Sequence, residues 1–386
     1  MEIKGEHKPK PKKERKMKKL HLVLIGLMAC LAIGISTARG QVGYGLEDLG
    51  VVKDMQTSEV FAVNQWGHVA GTGYSGVESC AFHYDPLKKF MEDSGGLNSR
   101  GFGISSTNMV VGDAFFGPAM EPRSHATMFS GGVAKDLGVM KGQVYSRANG
   151  ANAAGQVVGF SGPQRDSSES RAFVWTSQTG MKDLGTLGGP YAQANAINEA
   201  GFITGTAQTW AMFVTTHAFI YQKSATGGQM SDLGVLGGLS SYGMAINAYN
   251  HVAGYSTLEA NSERVHAFLH DGKGMINLGS LGTKGTDTDV SVALGVNKWD
   301  HVVGYSYLPA LPTAGPKRQS VAFLWSRDGY GGGKMVDLNT LLNATGKNYR
   351  LISATAINDN GQIVANAYEI SSGSVRAVLL TPMKSN

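Results

Sequence analysis

From residue 44 onward the chain alternates between short apolar runs and glycine-rich turns. Runs such as Gln156–Phe160 and His301–Tyr305 are rich in β-branched and aromatic residues, and each is followed by a Ser. Apolar positions at helical spacing are not sustained over the length of a helix anywhere after residue 40. The pattern therefore predicts an all-β protein that is made of many short strands.

Three short phrases recur in a fixed order through this region, namely Asp-Leu-Gly, Ala-Ile-Asn-x-x-Gly and His-Ala-Phe. The two fullest copies begin at Asp183 and Asp232, and looser copies cover the remainder, so that each phrase occurs seven times. Each repeat offers about four strands, and a four-stranded unit of this length is typical of a propeller blade. The sequence therefore predicts a seven-bladed β-propeller.

The second phrase predicts a tight turn in every repeat. Its fourth residue must adopt a positive φ, and each copy has Gly, Asn or Asp there, the residues that tolerate this conformation best. We assign these residues a structural role. They are Asn64 and Gly67, Asn152 and Gly155, Asn198 and Gly201, Asn247 and Asn250, Asn297 and Asp300, and Asn358 and Gly361, with Ser105 and Asn108 in the second copy.

The repeat is out of phase with the ends of the chain. A fourth-strand phrase at Leu46–Gly50 precedes the first complete copy, and the last copy ends at its third strand, Arg376–Thr381. The N-terminal strand is therefore predicted to complete the seventh blade and close the ring, which removes both exposed sheet edges. The predicted domains are a leader over residues 1–40 and a single propeller over residues 44–382, with seven repeats of about 45–60 residues. A β-solenoid is the alternative fold.

The three phrases, taken together in this order, resemble the HAF-repeat proteins, a group of bacterial proteins described as probable extracellular repeats. The resemblance covers roughly residues 44–381. Copies one, two and seven depart most, because Cys80 and Arg376 replace the His and Ser105 replaces the Asn. The resemblance implies export and a repeat architecture, and it implies no set of catalytic residues.

The basic charge is concentrated at the N-terminus. Residues 1–19 carry nine Lys or Arg and three Asp or Glu, which is 9 − 3 = +6, and because the whole chain carries +5 the remainder sums to 5 − 6 = −1. The basic balance thus belongs to a leader, and we predict that nucleic acid is not a partner.

An apolar stretch, Leu20–Ile35, follows the basic residues and ends at the small residues Ser36–Ala38, in the order of a secretory signal peptide. We therefore predict export to the periplasm or the cell exterior. Cys30 lies in a loose lipoprotein-like box, but apolar residues continue past it. The alternative is an uncleaved leader that anchors the protein to the membrane.

The repeated His and Asp side chains are the first candidates for chemistry. His125, His217 and His266 occupy one repeat position, but the other four copies have Cys, Arg or Val there, which do not form a metal-ligand set. The repeated Asp is predicted to accept N–H bonds from the glycine turn that follows it. The sequence contains no Gly-x-Ser-x-Gly, His-Glu-x-x-His or phosphate-loop motif. We predict no catalytic residue, no metal site and no cofactor.

The links between the second and third strands vary in length among the repeats, and variable links of a propeller share one face. That face is the predicted binding face. The aromatic and basic residues on these links are Trp210, Phe213, Arg123, Arg165 and Tyr307. The alternative is that these links are tolerated surface loops without a ligand.

These observations favour an exported, non-catalytic and monomeric propeller that binds a glycan, a cell-surface polymer or a protein. One alternative is a polysaccharide-active enzyme of the glycosidase or lyase type, whose carboxyl pair would be assembled by folding and not by sequence spacing. The other is a purely structural surface or matrix protein. A propeller fold alone does not decide among these, because function depends on the site and not on the scaffold.

Overall fold

The computed structural model describes residues 43–383, with gaps at residues 118–122, 165–166, 211–214, 225–226, 261, 310–318 and 328–332. This part of the chain forms 28 β-strands and two short 3-10 helices, Leu338–Leu341 and Ala344–Asn348. Within the same residues, no helix has the length and apolar character needed to cross a membrane. The strands assemble into seven four-stranded sheets.

Each sheet is one blade. Blade 1 comprises β2 (Thr57–Val63), β3 (Val69–Ser75), β4 (Glu78–Asp85) and β5 (Phe90–Leu97); blade 2 comprises β6 (Ser99–Ile104), β7 (Val110–Phe116), β8 (Arg123–Ser130) and β9 (Val133–Asp136); blade 3 comprises β10 (Tyr145–Ala151), β11 (Val157–Gly162), β12 (Arg171–Thr176) and β13 (Gly180–Asp183); blade 4 comprises β14 (Gly188–Ile197), β15 (Ile203–Thr209), β16 (Thr216–Ser224) and β17 (Gly227–Asp232). Blade 5 comprises β18 (Ser241–Ile246), β19 (Val252–Thr257), β20 (Val265–His270) and β21 (Met275–Asn277); blade 6 comprises β22 (Ser291–Val296), β23 (Val302–Leu308), β24 (Gln319–Trp325) and β25 (Met335–Asp337); blade 7 comprises β26 (Tyr349–Ile357), β27 (Ile363–Glu369), β28 (Ser374–Pro382) and β1 (Tyr44–Asp48).

The blades form a closed ring. Within each blade consecutive strands pair antiparallel, and the first strands of neighbouring blades contact one another around the centre, including β26 with β2. In blade 7 the outer strand is β1, which pairs with β28 from Tyr44 opposite Pro382 to Asp48 opposite Val378. The predicted seven-bladed propeller with its N-terminal closing strand is confirmed, and the β-solenoid alternative is wrong.

The two faces of the ring carry different connections. One face has the turns between first and second strands and between third and fourth strands, and we call it the Asn-turn face. The opposite face has the links between second and third strands and the connections from blade to blade, and we call it the link face. This division follows from antiparallel pairing, because alternate connections of a meander lie at the same end of its sheet.

The His-Ala-Phe phrase supplies the core between the blades. Its Ala and Phe are completely buried in Ala81 and Phe82, Ala172 and Phe173, Ala218 and Phe219, Ala267 and Phe268, and Ala322 and Phe323. Each buried phenylalanine contributes about 1.5–3 kcal/mol relative to an exposed one. The small Ala allows the neighbouring sheet to approach closely, so the repeated phrase records a packing requirement.

The Asn of the second phrase joins each blade to the next. Its Oδ1 accepts backbone N–H bonds within its own turn, and its Nδ2 donates to the backbone carbonyl of the corresponding turn in the following blade. These donations run in series from Asn152 to Asn198, Asn247, Asn297, Asn358, Asn64 and Ser105, a set we call the Asn ring. The series ends at Ser105 because serine has no amide to continue it.

The fourth residue of each turn has a positive φ. The values lie between 60° and 83° for Gly67, Asn108, Gly155, Gly201, Asn250, Asp300 and Gly361. The turn conformation places the Asn side chain beside the next blade, where its amide reaches the neighbouring carbonyl. The residues of the second phrase thus fix both the local turn and the spacing between blades.

Candidate functional site

Every first strand contains a β-bulge at the same place. The bulged residue lies three positions before the Asn of the Asn ring, or before Ser105 in blade 2. A bulge re-aims its side chain, and all seven of these side chains line the central channel. The bulged residues are Phe61, Phe102, Asn149, Asn195, Met244, Leu294 and Thr355.

A glycine on the second strand accompanies the bulge in six of the seven blades. In six blades a glycine lies opposite the residue that precedes the bulge, as Gly159 lies opposite Ala148. A Cβ on Gly159 would collide with the backbone carbonyl of Arg147, so only glycine permits this approach of the two strands. Blade 7 has Ala365 at this position, and its first strand has a second register shift.

One side of the channel combines aromatic rings with a guanidinium group. The channel holds a cavity of about 550 Å³. Phe61 and Phe102 meet edge to face with ring centroids 5.1 Å apart, and the Arg147 guanidinium lies 4.7 Å from the centroid of Phe102. Arg147 Nε also donates to Asn149 Oδ1 at 2.9 Å. The guanidinium is therefore fixed in place by a stacking contact and a hydrogen bond.

Amides and hydroxyls continue the lining. Asn149 Nδ2 donates to the carbonyl of Ala194 and Asn195 Nδ2 donates to the carbonyl of Gly243, each at 2.8 Å. These bonds fix the orientation of both amides and join three neighbouring first strands. The hydroxyl residue Thr355 lies on the far side of the same cavity. The channel thus presents ordered polar groups beside aromatic surface, the composition of a small-molecule site.

A cluster of tyrosines lies where the channel approaches the link face. Tyr242 stacks on Tyr255 with ring centroids 4.6 Å apart, and Tyr305, which lines the cavity, lies 6.2 Å from Tyr307. Burial raises the pKa of Tyr255, and the nearby hydroxyls of Tyr242, Tyr305 and Tyr191 raise that pKa further. The Tyr255 phenol therefore stays protonated at neutral pH and can act as a hydrogen-bond donor and acceptor.

Two carboxyl groups lie in blades 1 and 2: Glu59 is on the first strand of blade 1, and Asp113 is on the second strand of blade 2. Asp113 is buried and accepts hydrogen bonds from Arg100 Nε (2.9 Å), Ser124 Oγ (2.8 Å) and the Tyr145 hydroxyl (3.4 Å). Burial raises the pKa of the Glu59 carboxyl. Asp113 is thus committed to an internal ion pair, and the surroundings of Glu59 favour its protonated form.

Three of the residues that the sequence marked as a binding face are described, and they lie at the link face of blades 2, 4 and 6. Trp210 follows β15 and is 85% exposed, and Arg123 begins β8. Tyr307 lies in β23, and its ring centroid is 6.2 Å from that of Tyr305, which lines the cavity. Phe213 and Arg165 lie outside the described residues. The sequence analysis did not identify the seven bulged residues. The residue type at this position, three before the repeated Asn, nevertheless varies more among the repeats than at the positions on either side of it.

The repeated His and Asp form a pair within blade 2 and within blade 4. His125 Nδ1 lies 2.9 Å from Asp136 Oδ2, and His217 Nδ1 lies 2.8 Å from Asp232 Oδ2. Each Asp also accepts the backbone N–H of the Gly two residues later, as Gly138 bonds Asp136 at 2.7 Å. Among the described residues no group of three or more His, Cys, Asp or Glu is arranged to hold a metal ion.

Blade 5 arranges this pair differently. Its outer strand has Asn277 in place of Asp, and Asn277 Oδ1 lies 2.9 Å from His266 Nδ1 while accepting the N–H of Gly279. The carboxylate contacts the other ring nitrogen instead, with Asp289 Oδ1 2.7 Å from His266 Nε2. Both ring nitrogens of this buried histidine therefore lie within hydrogen-bonding distance of side-chain oxygen atoms.

Asp289 gives a pH-dependent contribution to stability. Burial would raise its pKa, but hydrogen bonds from the Gly285 N–H, the Ser280 hydroxyl and His266 outweigh burial and lower that pKa to about 2. Because the pKa in the unfolded chain is about 3.9, the ionised group stabilises the fold above pH 4 and loses this effect between about pH 4 and pH 2.

We expect Asp289→Asn to lower the free energy of unfolding by about 2 kcal/mol at pH 7, with a smaller difference below pH 3. Urea unfolding at several pH values measures it. The control is Asp54→Asn, because the Asp54 side chain is 79% exposed. Equal effects of the two substitutions at pH 7 would contradict the assignment.

The comparisons with solved structures concern the fold alone. Similar structures include an acylaminoacyl peptidase from Pyrococcus horikoshii (TM-score 0.48, 9% identity, covering 86% of this chain and 53% of that one) and TolB from Acinetobacter baumannii (TM-score 0.37, 11% identity, 56% and 52%). A third is the gluconolactonase XC5397 from Xanthomonas campestris (TM-score 0.34, 9% identity, 90% and 99%). The chain spans about half the length of the first two. No curated protein matches the sequence.

The family comparison corrects the resemblance that the repeated phrases indicated. The matching model is described as "Protein of unknown function (DUF3466)" and covers residues 140–375, and it is not a HAF-repeat family. The assignment to the HAF-repeat proteins is therefore wrong. Its motifs are residues that turns, bulges and blade packing require, so they identify the architecture better than the lineage. The chain belongs to the DUF3466 family.

Proposed function

We propose that this protein is an exported, non-catalytic propeller that binds a glycan in its central channel. The lining of the channel is the observation that carries the proposal. Seven bulges direct seven different side chains into one cavity of about 550 Å³, and these include two phenylalanines and two asparagines. A cavity of this size accommodates a ligand of a few rings.

The chemistry of a sugar fits this lining. A pyranose has an apolar face of C–H groups and a rim of hydroxyls, so it needs an aromatic surface beside fixed donors and acceptors. Phe61 and Phe102 offer the surface, while Asn149, Asn195 and Arg147 offer polar groups that are already held by internal bonds. Fixed partners reduce the entropy cost of binding.

The charges of the channel support binding over hydrolysis. Cleavage of a glycosidic bond by the usual mechanism uses two carboxyl groups, one on either side of the bond. Among the described residues of the cavity lining, Arg147 is the charged one. Asp113, in the neighbouring second strand, is occupied by Arg100, Ser124 and Tyr145. This arrangement favours recognition of an intact ligand.

Export is the second part of the proposal. The basic and apolar order of residues 1–38 supports it, and these residues lie outside the described part of the chain. Export would bring the channel to periplasmic or extracellular glycans and cell-surface polymers. Fractionation of cells that produce the epitope-tagged protein tests it, and retention of the unprocessed chain in the cytoplasm would contradict it.

Substitutions in the channel test the site. We expect Phe102→Ala and Arg147→Gln each to weaken the binding of short oligosaccharides by about tenfold, or about 1.4 kcal/mol, because each removes one side of the stacked pair. Isothermal titration calorimetry with oligosaccharides selected on a glycan array measures the change. The control is Trp210→Ala, on the link face and outside the channel.

The control also tests the face that the sequence favoured. If Trp210→Ala abolishes binding while both channel variants bind normally, the variable links form the site and the channel proposal is wrong. Mass spectrometry of the supernatant after incubation with polysaccharides detects cleavage. Released oligosaccharides would replace the binding proposal with the alternative of a polysaccharide-active enzyme.

A further inference from the structure

Three large aromatic side chains are exposed at one repeat position of the Asn-turn face. Trp66, Tyr249 and Trp299 are 71%, 62% and 56% exposed, and each lies two residues after the Asn of its blade. The same position is Asn360 in blade 7 and a small residue in blades 2 to 4. An exposed aromatic group of this kind is informative, because water solvates it poorly.

The backbone beneath these side chains is held in place by the Asn ring. The N–H groups of Trp66, Tyr249 and Trp299 donate to the Oδ1 of the Asn two residues earlier at 3.0, 2.9 and 3.0 Å. Each of those Asn residues is itself bonded to the next blade. The aromatic side chains therefore start from fixed points on blades 1, 5 and 6.

Further hydrogen bonds join the turns of blades 6, 7 and 1. Asp359 Oδ1 accepts the N–H of Lys298 at 2.8 Å, and its carbonyl accepts Trp299 Nε1 at 3.1 Å. Asp359 N donates to Gln65 Oε1 at 3.2 Å, and Asn360 Nδ2 donates to the Gln65 carbonyl at 2.9 Å. The three turns thus form one continuous, preorganised surface.

This surface occupies one half of the Asn-turn face. In the other half Glu199 joins the turns of blades 2, 3 and 4 through Ser106 Oγ at 2.8 Å and the N–H of Ala153 at 2.9 Å. That half presents small residues and a carboxylate. We call the aromatic half, comprising Tyr249, Trp299, Asn360 and Trp66, the aromatic arc.

The charges within the aromatic arc compensate each other. Lys298 Nζ lies 3.8 Å from Asp359 Oδ2 and 4.8 Å from the Trp299 ring centroid. The Lys298 charge beside the Trp299 ring is therefore compensated by Asp359, which favours a neutral ligand there. The amides of Asn360 and Gln65 lie between the rings, so the surface is not the contiguous apolar centre of a protein interface. Alternating ring faces and amides instead match a chain of sugar rings.

We propose that the aromatic arc binds a neutral polysaccharide strand that runs across blades 5, 6, 7 and 1. Each exposed ring stacks on the C–H face of one sugar, and the intervening amides bond its hydroxyls. The site does not depend on the proposed function, because none of its residues lines the central channel. It would hold a polymer on the face opposite the variable links.

Affinity electrophoresis of the full chain in native gels tests the proposal. The gels contain hydroxyethylcellulose, xyloglucan or dextran as neutral polymers, or polygalacturonate as an anionic one. We expect at least one neutral polymer to retard the wild type. We expect Trp66→Ala/Trp299→Ala to weaken this retardation by about tenfold or more, and Trp66→Phe/Trp299→Phe to keep most of it.

Two further variants separate the sites. Trp210→Ala removes an exposed tryptophan of the link face and should leave polymer retardation unchanged. Arg147→Gln alters the channel and shows separately whether the channel contributes to retardation. Thermal unfolding of each variant checks that the fold is intact. The proposal is overturned if the double alanine variant is retarded like the wild type, if polygalacturonate alone retards the protein, or if no polymer does. Loss of retardation in Arg147→Gln alone would place the polymer in the channel instead.

Discussion

A chain that begins at Leu49 instead of Gly43 is expected to lose its cooperative thermal transition and to aggregate. The missing residues form β1, the outer strand of blade 7, which pairs with β28 along its whole length. Tyr44 is buried in the core of this blade, and the Tyr349 hydroxyl donates to Asp48 Oδ2 at 2.9 Å. Without β1 the edge of β28 is exposed, and an open edge templates association.

The size of the expected loss of stability follows from the contacts that β1 makes. Five paired residues, one buried tyrosine and the closure of the ring together are worth at least about 5 kcal/mol, which is comparable to the whole stability of many domains. Circular dichroism melting and size-exclusion chromatography measure the outcome. The control chain begins at Gly43 and should melt like the propeller of the full chain. A normal melting transition for the chain that begins at Leu49 would contradict the closing role of β1.

Asn247→Ala is expected to lower the free energy of unfolding by about 2–4 kcal/mol, because it removes four hydrogen bonds of a buried amide. Two of these bonds are accepted from backbone N–H groups within the turn. The other two are donated to the Asn297 carbonyl and to Asp300 Oδ1 in blade 6, at 3.0 and 3.1 Å. The substitution therefore weakens one turn and one contact between blades together.

Chemical denaturation of the variants measures this effect. Ser105→Asn is the complementary, stabilising variant, because it supplies the amide that the Asn ring lacks between blades 2 and 3. We expect it to stabilise the protein by about 0.5–1 kcal/mol. Tyr249→Ala is the surface control and should be neutral. A loss below about 0.5 kcal/mol for Asn247→Ala would show that the Asn ring does not hold the blades together.

The sequence predicts the architecture because the repeat exposes local requirements seven times over. Asn64 and Gly67 form a turn whose positive φ is a property of four residues, and comparison with Asn250 and Asp300 in other copies shows which residue types satisfy it. The phase of the last copy, which ends at its third strand, indicates the closure by β1. Both features can be predicted without knowledge of the contacts between blades.

The channel site is formed by contacts between blades, and the sequence analysis missed it for that reason. The repeated glycine of the second strand, such as Gly159, predicts a close approach, but it does not show that Asn149 is thereby turned into a channel. The Asn ring is likewise a relation between blades, since Asn152 bonds the carbonyl of Asn198. The sequence analysis selected Trp210 as a binding-face residue because it lies in a link of variable length. Trp66 and Trp299 lie instead in turns of constant length on the opposite face.

Binding of a glycan in the central channel without cleavage is the central claim, and one measurement tests it most directly. The purified protein and its Phe102→Ala/Arg147→Gln variant are titrated by calorimetry with the tightest oligosaccharide from a glycan array, and the solutions are then examined by mass spectrometry. We predict binding by the wild type, at least tenfold weaker binding by the variant, and an unaltered ligand. Equal affinities of the two proteins, or cleavage products, would contradict the account.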